Sequence, residues 1–271
     1  MMRALWTAAS GMISQQTNVD TISNNLANIN TTGYKKETAE FKSLLYQTMQ
    51  GKSFDHNGEP KPVGIQVGLG VRNSAVTSQY TQGTVSETGN DYDFAISGKG
   101  FFMLRGSDGG TVYTRNGSFN LSRSTNGVML VNSEGNPVLD TNGQPIEIDD
   151  TQYDTSKITV NDLGEFCYPN ENNMSESIGI QIGVVQFNNP NGLLKMSNSF
   201  LKESDASGPA RLEMMEEGLQ KSKIQQGYIE GSNVQAVDEM VNLIVAQRAY
   251  EMNSKIITAS DQMLQQANNL R

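Results

Sequence analysis

The sequence predicts an α+β protein in which a helix at each end of the chain pairs as a coiled coil and flanks a central all-β domain. Two observations lead to this prediction. Apolar residues recur every seven positions near both termini, and short apolar runs separated by turn residues fill the middle. Seven-residue apolar repeats are typical of helices that pack on a partner helix, whereas closely spaced turns are typical of antiparallel sheets.

The N-terminal repeat predicts a helix from about residue 3 to about residue 29. This stretch contains no proline, and its one glycine, Gly11, lowers the helix propensity by roughly 1 kcal/mol. Gly33 follows the repeat and can take the left-handed conformation that ends a helix. Only Gln15 interrupts the seam that we expect to pack in an assembly, which consists of Leu5, Ala8, Met12, Val19, Ile22, Leu26 and Ile29.

The C-terminal repeat predicts a second helix that starts after Gly231, with Ser232 and Gln235 in the spacing of a capping box. About 38 residues without proline or glycine would span roughly 55 Å. A helix of that length needs a coiled coil or a polymer lattice to support it. Its expected assembly seam consists of Ala249, Met252, Ile256, Ala259, Met263 and Leu270.

The energetics of the first helix also indicate assembly. Burial of its large seam residues contributes at most roughly 9–18 kcal/mol, while fixing each residue of the backbone costs roughly 1–2 kcal/mol. Because backbone hydrogen bonds recover only part of that cost, an isolated terminal helix is marginal. We therefore expect the ends to be poorly ordered in the free subunit and to gain helix on assembly.

The region between the helices divides into a connector and a β domain. Residues 35–50 are predicted to form a short helix with an apolar face, and Asn-Gly and Glu-Gly pairs from 116 to 143 predict hairpins. The predicted domains are 1–40 with 231–271 as a terminal helical domain, 41–70 as an extended connector and 71–230 as the central β domain. The connector residues with restricted or unusual backbone freedom are Pro60, Pro62, Gly64, Gly68 and Gly70.

Charge and composition restrict the possible partners. The net charge is −9, of which residues 1–40 contribute 0 and residues 231–271 contribute −1, so the middle carries −8. An acidic middle argues against nucleic acid, which requires a basic face. No run approaches the 18 or so apolar residues of a membrane span, and we expect no cleavable signal peptide. The single cysteine, Cys167, excludes an intramolecular disulfide and a cysteine-based metal cluster.

The sequence shows no recognisable catalytic constellation. The glycines from Gly64 to Gly70 lack the spacing of a nucleotide-binding loop, and His56, the only histidine, lies in the connector. Asp140 and Asn142 are not followed by the further ligands of a calcium-binding loop, so a hairpin turn is the simpler interpretation. We therefore predict no catalytic residue, no metal and no cofactor.

Five motifs, taken in order along nearly the whole chain, resemble the flagellar axial proteins, which are the rod and hook components. The matching segments are 24–35, 97–102, 113–119, 227–234 and 239–251. Residues 44–49 followed by 64–71 resemble the extension of the family's distal rod members. The signature positions in this sequence are Asn25, Ala27, Asn28, Gly33, Tyr34, Gln247, Arg248 and Tyr250.

The resemblance implies a structural subunit that is exported unfolded by the flagellar type III apparatus and stacks helically into a rigid, hollow drive shaft in the periplasm. Its implied partners are further copies of itself, the proximal rod proteins, the hook protein, the ring bushing proteins and the export apparatus. Two alternatives stay open. One is a proximal rod or hook subunit, and the other, from a different class, is a secreted carbohydrate-binding or carbohydrate-active protein.

Overall fold

The computed structural model describes residues 2–50, 65–124, 127–170, 174–216 and 218–269. They divide into two compact units. The first unit contains the chain up to Ala27, residues 37–79 and the chain from Gln235 onward, and the second contains residues 28–36 and 80–234. The predicted combination of two terminal helices with a β-rich middle is confirmed, whereas the three-part domain division and the coiled-coil geometry stay predictions.

The first unit combines the two long helices with two small antiparallel sheets. Strand β1 (Glu37–Ser43) pairs with β4 (Val71–Ser78), with Glu37 opposite Ser78 and Ser43 opposite Val71, and β2 (Tyr46–Gln50) pairs with β3 (Ile65–Gly68). The elements are α1 (Met2–Ala27), β1 (Glu37–Ser43), β2 (Tyr46–Gln50), β3 (Ile65–Gly68), β4 (Val71–Ser78) and α2 (Ala236–Asn269).

Polar side chains of α1 hold β4. The Ser10 hydroxyl accepts a hydrogen bond from the backbone N–H of Val71 at 3.3 Å, and Asn73 Nδ2 donates to Thr17 Oγ1 at 2.6 Å. Several of the hydroxyl groups that make the first helix so polar therefore have structural partners on a neighbouring strand.

The predicted helix over residues 35–50 is wrong, because this stretch forms β1 and β2. Its apolar residues do have helical spacing, but Leu45 and Met49 are exposed rather than buried. The backbone of β1 instead finds its hydrogen-bonding partners along β4, and this tertiary pairing outweighs a weak local helical pattern.

The ends of the two long helices lie near the predicted positions. Helix α1 ends at Ala27, and Gly33 has a φ of +70°, in the left-handed region predicted for it. The predicted capping box is wrong. Helix α2 begins at Ala236, while the Ser232 hydroxyl accepts a hydrogen bond from Val234 N at 3.3 Å in a local turn.

The second unit is built from short antiparallel strands. Its largest sheet has the strand order β16-β17-β8-β7-β15-β18, and smaller sheets have the orders β11-β10-β9, β12-β13-β14, β19-β6 and β20-β5. The strands are β5 (Val85–Glu87), β6 (Phe94–Ser97), β7 (Phe101–Arg105), β8 (Thr111–Thr114), β9 (Phe119–Ser124), β10 (Gly127–Asn132), β11 (Glu147–Ile148), β12 (Thr159–Val160), β13 (Glu165–Pro169), β14 (Ser175–Gln181), β15 (Val184–Gln186), β16 (Leu194–Lys195), β17 (Leu201–Lys202), β18 (Arg211–Leu212), β19 (Lys223–Gln226) and β20 (Tyr228–Glu230).

Strand β7 separates two apolar cores of this unit. Successive side chains of a strand point to opposite faces. Phe102 and Leu104 accordingly pack in one core, and Phe101 and Met103 pack in the other. In the first core the Phe102 and Phe119 rings meet edge to face with centroids 5.2 Å apart. The four consecutive buried apolar residues of β7 thus reflect a strand that is covered on both faces.

The hairpin turn predicted around Asp140 is confirmed. Asp140 Oδ1 accepts hydrogen bonds from the backbone N–H groups of Asn142 at 2.7 Å and Gln144 at 3.0 Å. Gly143 donates its N–H to the Asp140 carbonyl and has a φ of +75°. The carboxylate is thus engaged in shaping its own turn.

Candidate assembly surface

Helices α1 and α2 of the first unit pack side by side and run antiparallel. Gly11 lies against Asn253, and Asn25 lies against Glu239. Fourteen residues forward along α1, from 11 to 25, thus correspond to fourteen residues back along α2, from 253 to 239. A Cβ atom at position 11 would lie 2.9 Å from Asn253 Nδ2, so glycine permits the close approach at this point.

The face of α2 toward α1 is not the predicted seam. It follows a different seven-residue row of mostly small or polar residues, in which Glu239, Ala246 and Ser260 are buried and Asn253 is half-buried. A search for apolar heptads overlooks this row. The feature of the sequence that could have indicated this contact is Gly11 on α1, because a glycine lets the two helices approach closely and pack through short side chains.

The predicted C-terminal seam lies mainly on the surface of the first unit. Ala249 is half-buried, but the side chains of Met252, Ile256 and Met263 are 59 %, 46 % and 49 % exposed, and Ala259 is also exposed. Leu270 lies outside the described residues. With Val245, which is 62 % exposed, the described members form a row spaced by four and three residues. We call Val245, Ala249, Met252, Ile256, Ala259 and Met263 the α2 stripe.

The α2 stripe is distinct from the contact with α1. Val245 and Met252 each precede a residue of the contact row, Ala246 and Asn253, by one position. One residue corresponds to about 100° around an α-helix. The helix therefore has two separate seven-residue rows, one engaged by α1 and one open. An apolar row of this length on a surface is typical of a binding face for another protein.

The predicted N-terminal seam is better covered. Ala8 and Ile22 are buried, and Leu5, Met12, Val19 and Leu26 are half-buried within the first unit. Ile29 follows the helix and belongs to the second unit, where it is also half-buried. Whether these residues form contacts between subunits stays a prediction.

The signature residue Asn25 joins three segments of the first unit. Its Oδ1 accepts the backbone N–H of Glu37, and its Nδ2 donates to the Glu37 carbonyl, both at 2.8 Å. The same Nδ2 donates to Glu239 Oε2 at 3.1 Å. Both side chains are buried. One amide thus fixes the end of α1, the start of β1 and the first turn of α2.

The remaining signature residues have different settings. Gly33 donates its N–H to the Glu230 carbonyl at 2.8 Å, and a Cβ atom at position 33 would meet the backbone of Arg115 at 2.7 Å. Asn28 Oδ1 accepts a hydrogen bond from the Thr31 hydroxyl at 3.1 Å. Tyr34 is half-buried, Ala27 is exposed at the end of α1, and Gln247, Arg248 and Tyr250 are exposed on α2.

A buried charged cluster in the second unit was not predicted. Glu230 Oε1 accepts hydrogen bonds from Lys35 Nζ at 2.6 Å and from the Gly83 N–H at 2.8 Å. Arg115 Nη1 lies 3.5 Å from Glu230 Oε2. Burial lowers the pKa of Lys35 and that of Arg115, against the effect of the Glu230 carboxylate. The cluster joins residues far apart in sequence, which spacing alone does not reveal.

The connector is described only on either side of residues 51–64. Pro60, Pro62 and Gly64 therefore lie outside the described residues. Gly68 ends β3 beneath the ring of Tyr46, and Gly70 has a φ of +115° at a point where any Cβ would collide with the Ser10 side chain. Glycine at position 70 thus permits the chain to turn against α1 before β4 begins.

Within the described ranges, no group of three or more His, Cys, Asp or Glu side chains is placed to hold a metal ion. The described part of the chain also contains no helix that is long and apolar enough to cross a membrane. The α2 stripe is an exposed apolar surface with the capacity to bind another chain. A long helix pair with an open apolar row defines a structural protein that packs against other chains.

Comparison with known proteins identifies the family. The model described as "Flagella basal body rod protein" matches residues 5–35, "Flagellar hook protein FlgE/F/G D1 domain" matches 95–168, and "Flagellar basal body rod FlgEFG protein C-terminal" matches 225–270. The chain belongs to the flagellar basal-body rod protein family. This is a family of structural proteins and not of enzymes.

Full-length relatives agree with the family models. The chain is 42 % identical to the flagellar basal-body rod protein FlgG of Agrobacterium fabrum, with 97 % of each chain covered. It is 42 % identical to FlgG of Borreliella burgdorferi, covering 100 % of this chain and 99 % of the relative. It is also 34 % identical to the flagellar hook-basal body complex protein FlhP of Bacillus subtilis, with both chains fully covered.

Proposed function

We propose that this chain is the distal rod subunit of a bacterial flagellum and polymerises helically into a rigid, hollow drive shaft that transmits torque to the hook. The observation that carries the proposal is the α2 stripe, whose large side chains stay about half exposed after α1 has packed. Fully burying a large apolar side chain contributes roughly 1.5–3 kcal/mol, so covering the exposed half of each one contributes about half of that and favours binding of a second copy.

In the proposed assembly, residues 1–40 and 231–271 form an inner tube around the export channel, and residues 71–230 form the outer layer. The subunit acts in the periplasm, after export through the type III apparatus without a cleavable signal peptide. Its neighbours are further copies, the proximal rod proteins, the hook protein and the ring bushing proteins. The family assignment and the similarity to FlgG proteins support this placement.

The connector is proposed to brace neighbouring subunits. Strands β2 and β3 form a two-stranded sheet in which Tyr46, Met49 and Ile65 are exposed, and Leu45, just before β2, is exposed as well. Because an isolated two-stranded sheet is marginal in water, these residues need a further partner. Deleting residues 51–63 should produce a bendable or shortened rod, and a straight rod of normal stiffness would argue against a brace.

A substitution in the α2 stripe tests the proposed function directly. Met252→Lys places a charge where a neighbouring copy is expected to pack, so rods should be lost in a bacterium whose own copy is replaced by the variant. Met215→Lys is the matched control, because Met215 is equally accessible but lies in the second unit. Normal rods with Met252→Lys, counted by electron microscopy, would reject assembly through this stripe.

Truncation separates the classes of function. A chain without residues 1–30 and 235–271 should lose assembly if it is a rod or hook subunit. Retention of sugar binding or hydrolysis by the remaining β unit would instead favour the secreted carbohydrate-active alternative. Position along the rod, proximal or distal, is read from where the tagged full-length chain appears in isolated basal bodies.

A further inference from the structure

Helix α1 carries a small apolar patch of its own, consisting of Trp6 and Ile13. Their side chains are 75 % and 64 % exposed. Seven residues separate them, so they lie on the same face of the helix, about 10 Å apart. An exposed tryptophan and an exposed isoleucine on one row of a helix offer apolar surface that a contact with another chain would cover.

The described residues of the first unit leave this patch largely exposed. The buried positions of α1, among them Ala8, Ser14 and Ile22, lie on the side that packs within the unit. Trp6 and Ile13 are the large apolar residues of α1 that remain exposed among those described. The patch is therefore available for a contact with another chain.

The α2 stripe offers positions with the same spacing. Ile256 and Met263 are also separated by seven residues and are about half exposed. In a helical assembly, the copies are related by rotation about one axis and translation along it. When both helices run along that axis, α1 of one copy is therefore antiparallel to α2 of the next copy, as it is within one chain. In this orientation Trp6 meets Met263 and Ile13 meets Ile256.

Charge supports the same register. Asp20 lies seven residues beyond Ile13 on the same row of α1 and is exposed. In the antiparallel register it arrives at Ala249, next to Arg248, whose side chain is 73 % exposed and also pairs with Glu251 at 3.1 Å. An exposed pair of opposite charges contributes little affinity, but it favours one register over its neighbours.

We propose that the Trp6–Ile13 patch of one copy docks on Ile256 and Met263 of a second copy, a contact that rests on the proposed polymer function. The two surfaces are different, so the contact is heterologous. A heterologous contact leaves one patch and one stripe free at the ends of every oligomer. Growth therefore continues into a filament instead of stopping at a symmetric dimer.

Disulfide cross-linking tests the contact. In a Cys167→Ser background, chains carrying Ile13→Cys and chains carrying Ile256→Cys are produced together in rod-forming cells. Oxidation should join the two kinds of chain, and a chain that carries both substitutions should give a ladder beyond the dimer. The matched control pairs Ile13→Cys with Val245→Cys, because position 245 lies eleven residues, roughly 16 Å, from position 256 along α2 and is out of reach in the proposed register. More cross-linking to position 245 than to position 256 would overturn the proposed register.

An alanine variant tests the energetics. Trp6→Ala with Ile13→Ala should raise the concentration needed for polymerisation roughly tenfold or more, equal to about 1.4 kcal/mol, while Gln16→Ala leaves it unchanged. Unchanged assembly of the double variant would refute the docking and leave the proposed function intact. A wild-type chain that forms no rods would refute the proposed function, and the docking with it.

Discussion

Asn25 of α1 donates a hydrogen bond from Nδ2 to Oε2 of Glu239 on α2 across 3.1 Å, and both side chains are buried. The same amide is paired with the backbone of Glu37. Buried polar pairs are well suited to setting the register of packed helices, because a shifted register leaves their atoms without partners. In this chain the pair sits at the end of α1, where α2 begins.

Replacing Asn25 by alanine should destabilise the first unit by about 2–4 kcal/mol. The substitution removes the hydrogen bonds that Asn25 makes with the half-buried backbone of Glu37 and with the buried Glu239 carboxylate. Denaturant unfolding monitored by helical circular dichroism measures the change. Gln16→Ala, which removes an exposed amide from the same helix, is the control, and equal midpoints for the two variants would contradict the role of Asn25.

Glu230→Gln should destabilise the second unit by about 3–5 kcal/mol. The carboxylate accepts a hydrogen bond from Lys35 and lies beside Arg115, so an amide in its place removes the counter-charge of buried Lys35 and the stronger of the two carboxylate interactions of Arg115, the other being with Glu213. Tyrosine absorbance during denaturant unfolding follows this change, because most tyrosines lie in the second unit whereas the single tryptophan, Trp6, lies in the first. Glu87→Gln, on the exposed part of β5, removes the same charge from the surface and should cost little. A comparable loss for both variants would show that only net charge matters.

Tyr113 should make the second unit sensitive to alkali. Burial, with a smaller effect of the Glu203 carboxylate, raises the pKa of Tyr113 from 10.0 to about 12. The unfolded chain therefore releases this proton at a lower pH than the folded chain does. Stability from this group is fully present below pH 10 and is lost as the pH rises through 12, by about 1–2 kcal/mol after solvent screening.

Tyr113→Phe tests this pH dependence. The variant should show a flatter decline of unfolding free energy between pH 10 and pH 12 than the wild type, with phenolate absorbance recorded in parallel. Tyr46→Phe removes an exposed phenol and serves as the control. Parallel pH profiles for wild type and Tyr113→Phe would show that the alkaline loss arises elsewhere.

The sequence predicted the large features of the fold for physical reasons that are local. The heptad repeats specified two long helices, and the glycine-containing turns specified the hairpins around Asp140. It could not predict the pairing of β1 with β4, since residues 37–43 carry no strong preference of their own and are held by residues 71–78. The spacing of apolar residues along the sequence does not indicate pairing between strands that are far apart in the chain.

The same limit explains the partial success with the assembly surface. The α2 heptad was visible because its members are apolar, yet the row that packs on α1 within the chain contains Glu239, Ala246 and Ser260. The apolar row of α2 is the face that stays exposed. The face that packs on α1 consists of small or polar side chains and includes one buried hydrogen bond. The cluster of Lys35, Arg115 and Glu230 gave no local signal at all.

Helix content should rise on assembly. The terminal helices expose much of the α2 stripe in the single chain, and burial of that stripe against another copy offsets the entropy of ordering the backbone. Circular dichroism per residue, measured for the monomer and for the polymer, is the test. Equal values in the two states would mean that the helices are already fully formed before assembly.

Gly11→Ala has two opposing effects on stability, one from helix propensity and one from the packing of α1 on α2. Alanine favours the helix by roughly 1 kcal/mol, but its Cβ would lie 2.9 Å from Asn253 Nδ2 on α2. We expect the single variant to be neutral or less stable than wild type, because Asn253 must move away from a close contact. In an Asn253→Ala background the obstacle is absent, so the same substitution should stabilise the chain by the full propensity gain.

A double-mutant cycle of unfolding free energies separates these contributions. The coupling between positions 11 and 253 should be at least about 0.5 kcal/mol and unfavourable for alanine beside asparagine. Additive effects would place Asn253 outside the helix contact and would contradict the antiparallel register. A stabilising Gly11→Ala in the wild-type background would show that the two helices can separate slightly without cost, which a close-packed register does not allow.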